Sequence, residues 1–162
     1  MAIVKTNFLS AEMNQFAIST VRGQLADWGL NAQIMEVRIS EDSVATIYPG
    51  DPVKLVSSPK GVITVEAAAK GDEVYGFMVW DTKRTEATAG QYIRVLRDGG
   101  VMQMITDEAL TAGDVVYIDE TDGGISKVST GLGNPIGLAL EDTAAASDGV
   151  LVRVEVMKQP VA

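Results

Sequence analysis

Four acidic clusters carry the residue types in this chain that could do chemistry: Glu41-Asp42, Asp107-Glu108, Glu120 with Asp122, and Glu141-Asp142. A carboxylate-only hydrolase needs two such groups across a cleft, one of them kept protonated by burial. Adjacent Glu-Asp pairs in polar loops are solvated instead and have no reason to differ from each other. Oxygen ligands for calcium are a second possibility. Asp119-Glu120-Thr121-Asp122-Gly123-Gly124 spaces its acids at alternate positions, but it lacks the later bidentate Glu of a calcium loop. Its Asp-Gly step also has its own reason to exist, as a hairpin turn. The chain has 0 His and 0 Cys, which removes the usual zinc ligands and the usual catalytic base. Gly131-Leu132-Gly133 runs into Asn134-Pro135 rather than a helix, so it is not a dinucleotide fingerprint. The expectation is no catalytic residue, no metal and no cofactor.

The elements around these residues favour a packed β body. Of 162 residues 46% are hydrophobic, enough to build a core. The net charge of −9 opposes binding to phosphates, and only 6% of residues are aromatic, so nucleic acid is excluded as a partner. An anionic membrane surface is excluded by the same charge. No apolar run approaches the ~20 residues of a membrane span, and Met1 to Thr6 lacks the apolar stretch of a signal peptide. The lack of Cys suits a reducing cytoplasm.

Residues 1–33 read differently from the rest. Leu9, Met13, Phe16, Val21, Leu25 and Trp28 fall mostly three or four apart, an apolar stripe that suits a helix. Ser10 could cap it and Gly29 stop it. Gly23 and the β-branched Ile18 and Thr20 favour an extended arm instead. The stripe either packs on the chain's own body or reaches a neighbouring subunit. From residue 34 to 162 the text is strand and turn. Ile34 to Ile39 alternates, Pro49-Gly50-Asp51-Pro52 is turn chemistry, and short β-branched runs follow every eight to twelve residues. That pattern predicts an all-β fold, a compact barrel or sandwich.

The β text is written twice. Gly50-Asp51-Pro52-Val53 matches Gly113-Asp114-Val115-Val116. Gly76-Phe77-Met78 matches Gly137-Leu138-Ala139, and Gly90-Gln91-Tyr92-Ile93-Arg94-Val95 matches Gly149-Val150-Leu151-Val152-Arg153-Val154. Three matches in one order, about sixty residues apart, mark a duplicated unit with copies at roughly 39–97 and 105–157. The second-element glycines are expected where two strands approach closely. Arg94 and Arg153 fall opposite apolar neighbours, so they lie on the outer face. There they either rest their stems on the sheet or meet a partner's carboxylates.

The pattern resembles the capsid cement, or decoration, proteins of tailed bacteriophages. Ala112-Gly113-Asp114-Val115-Val116, Ile136-Gly137-Leu138-Ala139 and Gly149-Val150-Leu151-Val152-Arg153-Val154 carry the resemblance. In the first copy Pro49 and Pro52 flank the Gly-Asp, and Trp80 replaces small residues. The resemblance implies a non-enzymatic protein made in the host cytoplasm. It would bind the outside of a phage head and staple neighbouring copies of the major capsid protein. It also implies a homo-oligomer, a trimer ahead of a dimer. The expected interface residues are Phe8, Leu9, Met13, Phe16, Val21, Leu25, Trp28, Arg94 and Arg153. The rival reading is a tail-associated or glycan-binding module, for which Trp28, Trp80, Tyr92 and Tyr117 are the aromatic candidates.

Overall fold

Residues 22–27, 32–57, 61–69, 72–81, 84–119, 124–127 and 134–157 are described by the computed structural model. Within them the chain is all β, with no helix. The strands are β1 (Leu25–Asp27), β2 (Gln33–Ile39), β3 (Pro52–Ser57), β4 (Thr64–Ala67), β5 (Gly76–Met78) and β6 (Tyr92–Asp98). They continue as β7 (Val101–Thr106), β8 (Val115–Ile118), β9 (Ile125–Ser126), β10 (Gly137–Ala139) and β11 (Val150–Val156).

Alternation sets the faces. In β6, Ile93 and Val95 are buried while Tyr92 and Arg94 are exposed. In β11, Val152, Val154 and Val156 are buried while Arg153 and Glu155 are exposed. Side chains in a strand point to opposite faces in turn, so a core forms on one side only.

The duplication is visible in the strand order. β2, β4, β3, β5 and β6 form a closed barrel, and the other six strands form a curled sheet in the order β1-β7-β11-β10-β8-β9. Listed from β2, the barrel runs β2-β6-β5-β3-β4; from β7, the sheet runs β7-β11-β10-β8-β9. Register agrees as well: Val53 faces Gly76 where Val116 faces Gly137. Met78 faces Val95 where Ala139 faces Val154.

The matched residues recur for matched reasons. Asp51 Oδ2 accepts the Tyr48 N–H at 2.8 Å, and Asp114 Oδ2 accepts the Thr111 N–H at 2.9 Å. Each Asp follows a glycine in the left-handed region, Gly50 at φ 88° and Gly113 at φ 96°, a conformation that favours Gly. At Gly76 an added Cβ would lie 2.3 Å from Val95 Cγ1, and at Gly137 2.4 Å from the Glu155 carbonyl oxygen. Neither position has room for a side chain, as expected where backbones approach closely.

The two units share a core. Phe77 and Leu96 of the barrel pack in one cluster with Met102, Met104, Val116, Val152 and Val154 of the sheet. A second cluster, including Val37, Ile39, Val53, Val65 and Val95, fills the barrel itself.

One edge differs between the units. In the barrel, β2 is closed by a parallel ladder to β4, with Arg38 opposite Thr64 and Ile39 opposite Val65. In the second unit the free edge of β7 takes β1 instead, with Leu25 opposite Met102 and Asp27 opposite Val101. Residues 22–25 then tie the units together. Arg22 pairs with Asp51 at 2.9 Å, the Trp80 N–H donates to the Gly23 carbonyl, and the Gln103 N–H donates to the Gln24 carbonyl. The helical alternative for the N-terminal arm therefore fails at residues 25–27, because the open edge of β7 draws them into a strand. Phe8, Leu9, Met13, Phe16, Val21 and Trp28 lie outside the described residues. Trp80, one of the aromatic candidates, follows the end of β5 and is half-buried.

Candidate functional site

The described acidic clusters are engaged with the chain itself. Glu41 pairs with Arg38. Glu108 Oε2 accepts the Lys127 N–H at 3.1 Å. Asp142 Oδ1 accepts the Ala112 N–H at 2.8 Å, and Glu141 accepts the Arg153 N–H at 2.8 Å. These carboxylates serve as turn and loop fasteners. Among the described residues no group of three or more acids could hold a metal ion. Glu120 and Asp122 of the calcium-like loop lie outside them, as does Gly131-Leu132-Gly133.

Arg94 and Arg153 occupy equivalent outer positions, and each meets a carboxylate, though not at equivalent positions. Arg94 Nη2 lies 3.8 Å from Asp81, and Arg153 Nη2 lies 3.1 Å from Glu141. Each carboxylate comes from the loop after the second element of its own unit. Arg153 holds Glu141 with its main-chain N–H and its Nε as well. Arg94 makes the looser contact and keeps 48% of its side chain exposed. Leu25 is drawn into β1 and packs, partly buried, against the shared core.

A feature that the individual motifs did not reveal surrounds Arg94. On the outer face of the barrel, β2 and β6 place Glu36 opposite Arg94 and Arg38 opposite Tyr92. Arg38 donates to Glu41 and to the Gly90 carbonyl, and its guanidinium lies 6.0 Å from the Tyr92 ring centre. Arg84, from the loop after β5, donates to the Tyr92 carbonyl. Tyr92 itself is 50% exposed. Between these side chains lies a groove of about 260 Å³, lined by Glu36, Asp81, Arg84, Tyr92 and Arg94 over a floor of Met78, Val79 and Ile93.

The second unit carries no copy of this arrangement. Register puts Gln103 opposite Arg153 and Ile105 opposite Leu151, where the barrel has Glu36 opposite Arg94 and Arg38 opposite Tyr92. The loop between β5 and β6 contains Lys83 and Arg84, whereas the loop between β10 and β11 contains neither Lys nor Arg. A sequence signal was therefore present, as a difference between the copies rather than as a motif.

Together the duplicated core, the fastened carboxylates and the outward arginines describe a structural β protein. The chain belongs to the phage family described as "Structural cement protein (E217 gp24/Pam3 gp6)", whose model matches residues 12–156. Membership implies a non-enzymatic, structural role in the virion, in association with the phage capsid. The chain is also similar to the head fiber gp8.5 N base of bacteriophage phi29, at 14% sequence identity and a TM-score of 0.49. That similarity covers 81% of this chain and 98% of the other. No curated protein matches the chain.

Proposed function

We propose that this protein binds the outer surface of a phage head and staples neighbouring capsid subunits against internal pressure. Membership of the cement family over residues 12–156 is the observation that carries the reading. The physics supports it. A staple must transmit load without deforming, and the two units share one apolar core rather than hanging on a linker. An acidic chain of net charge −9 suits the outside of the shell, away from DNA. A repeating lattice multiplies modest contacts through avidity, so one copy need not bind tightly. Self-association, as a trimer ahead of a dimer, belongs to the same proposal, with Phe8, Leu9, Met13, Phe16, Val21 and Trp28 of the N-terminal segment reaching a neighbour, while Leu25 stays with the chain's own core.

The test is co-sedimentation of the purified protein with expanded and unexpanded heads assembled without it. Saturable binding to expanded heads, with increased resistance to heat, is the expected result. Absence of binding to either form would overturn the reading.

A further inference from the structure

The duplication supplies an internal control for function. What the fold requires should appear in both units, and it does: the Gly-Asp turns, the close-approach glycines and the outer arginines recur. What only one unit carries is not required by the fold. The cluster of Arg38, Arg84 and Tyr92 around Arg94 is of that kind. Its counterpart on the second unit has Ile105 and Leu151 at the Arg38 and Tyr92 positions.

We propose that the groove at Arg84, Tyr92 and Arg94 docks a carboxylate-bearing loop of the capsid shell protein; this rests on the head-binding reading above. Size is the first argument. A groove of about 260 Å³ is below the ~300–1,000 Å³ of small-molecule sites. It holds roughly nine water volumes of ~30 Å³, which is room for one acidic side chain and its water. Donor geometry is the second. A guanidinium presents five N–H donors. Among the described residues Arg94 makes only the 3.8 Å approach to Asp81, which is beyond hydrogen-bonding distance, and it is half exposed. Arg84 is anchored by a main-chain carbonyl, which fixes its direction while leaving donors over. A carboxylate takes two parallel bonds from such a fork, which suits these arginines better than a neutral loop would. Residue type is the third. Exposed Tyr beside Arg is the composition of interface hot spots: Tyr offers large contact area with little ordering cost, and Arg a planar fork of donors. Charge is the fourth. Arg38, Arg84 and Arg94 balance Glu36, Glu41 and Asp81, so the face is locally neutral on a chain of net −9. These six side chains therefore present no net negative charge to an acidic loop.

The experiment measures affinity for expanded heads of wild type, Arg84→Glu with Arg94→Glu, Tyr92→Ala, and Arg153→Glu as the control on the second unit. Each variant is first checked for a wild-type β spectrum and cooperative melting. Arg84→Ala and Arg94→Gln replace the double variant if charge reversal impairs folding. The double reversal is expected to bind at least tenfold more weakly and to show a shallower salt dependence. Tyr92→Ala is expected to weaken binding severalfold, and Arg153→Glu to stay within twofold of wild type. Wild-type affinity for the Arg84 and Arg94 variants would overturn the proposal, as would an equal loss for Arg153→Glu. If the variants instead dissociate an oligomer while single copies still bind heads, the occupant is a second copy and the shell assignment is wrong. If wild type itself binds no head, the failure lies in the head-binding reading, and this inference falls with it.

Discussion

Gly76→Ala and Gly137→Ala should cost the protein nearly the same stability, although they lie in different units. At Gly76 the new Cβ would stand 2.3 Å from Val95 Cγ1 and 2.6 Å from the Leu96 carbonyl oxygen. At Gly137 it would stand 2.4 Å from the Glu155 carbonyl oxygen and 2.7 Å from Val154 Cγ1. Comfortable carbon contacts are about 3.5–4.0 Å, so the neighbours must move by about 1 Å in both cases. One neighbour in each is paired backbone, which cannot rotate away. Overpacking of this kind costs about 1–3 kcal/mol. The reduced freedom of the unfolded chain returns about 0.4–1 kcal/mol. A net loss of about 1–2 kcal/mol lowers Tm by about 2–8 °C at this chain length. The closed barrel resists spreading more than the open sheet, so Gly76→Ala should be the worse of the two. Urea titrations followed by tryptophan fluorescence and by circular dichroism measure this, and the shared core predicts coincident transitions by both probes. Gly61→Ala makes the contrast: with φ 83° and nothing within 4 Å of the new Cβ it carries a left-handed strain without a clash, whereas Gly76 and Gly137 carry the clash without that strain. If both test variants unfold within about 0.5 kcal/mol of wild type, the close-approach reading of the matched glycines is wrong.

Truncation separates the arm from the sheet. Removal of residues 1–21 should keep the β spectrum, because Arg22 and β1 remain. Removal of 1–30 deletes β1 and the Arg22–Asp51 pair, uncovers the edge of β7, and should lower Tm by several degrees and promote aggregation. Equal melting of the two truncations would show that β1 contributes nothing. The two turn acids should respond to pH with opposite sign. The Ala69 N–H and the Lys54 ammonium, against a smaller opposing effect of burial, hold Asp72 below its usual 3.8. Its stabilisation is present above that pH and disappears as pH falls through the lowered value, by under about 1 kcal/mol for so exposed a pair. Burial pushes Asp51 up, despite the Tyr48 N–H and Arg22. The folded state therefore binds the extra proton, and Asp51→Asn should gain on wild type as pH rises from 3.8 through the raised value, whereas Asp72→Asn should lose on it as pH rises from the lowered value to 3.8. Parallel pH profiles for the two variants would refute this assignment.

The fold was legible because its signals are local. Gly-Asp turns and alternating β-branched runs are decided within a few residues, and the copies reinforce each other. Strand β1 was not legible, because Leu25-Ala26-Asp27 has no alternation long enough to read. It is a strand because β7 has an edge to fill, which is a tertiary fact. The groove was hidden for a related reason. Arg84 and Arg94 are ten positions apart in the sequence, and only the turn after β5 brings Arg84 back onto Tyr92. The outer placement of Arg94 and Arg153 followed directly from alternation.

The asymmetry between the copies carries the functional argument one step further. A duplicated barrel could close twice, yet only the first unit does. Its β2–β4 ladder makes a self-contained wall, so β2 needs no strand from the N-terminal segment. That face then carries the exposed Tyr92 and the loosely paired Arg94. In the second unit the β7 edge is committed to β1, and Gln103, the counterpart of Glu36, is buried. Its main-chain N–H and carbonyl are both bonded to the segment that enters there. A face tied down in this way cannot present the same chemistry outward. Closing one barrel and leaving the other to capture β1 thus divides the work between the units. One anchors the N-terminal segment, and the other keeps exposed the polar face of Tyr92 and Arg94.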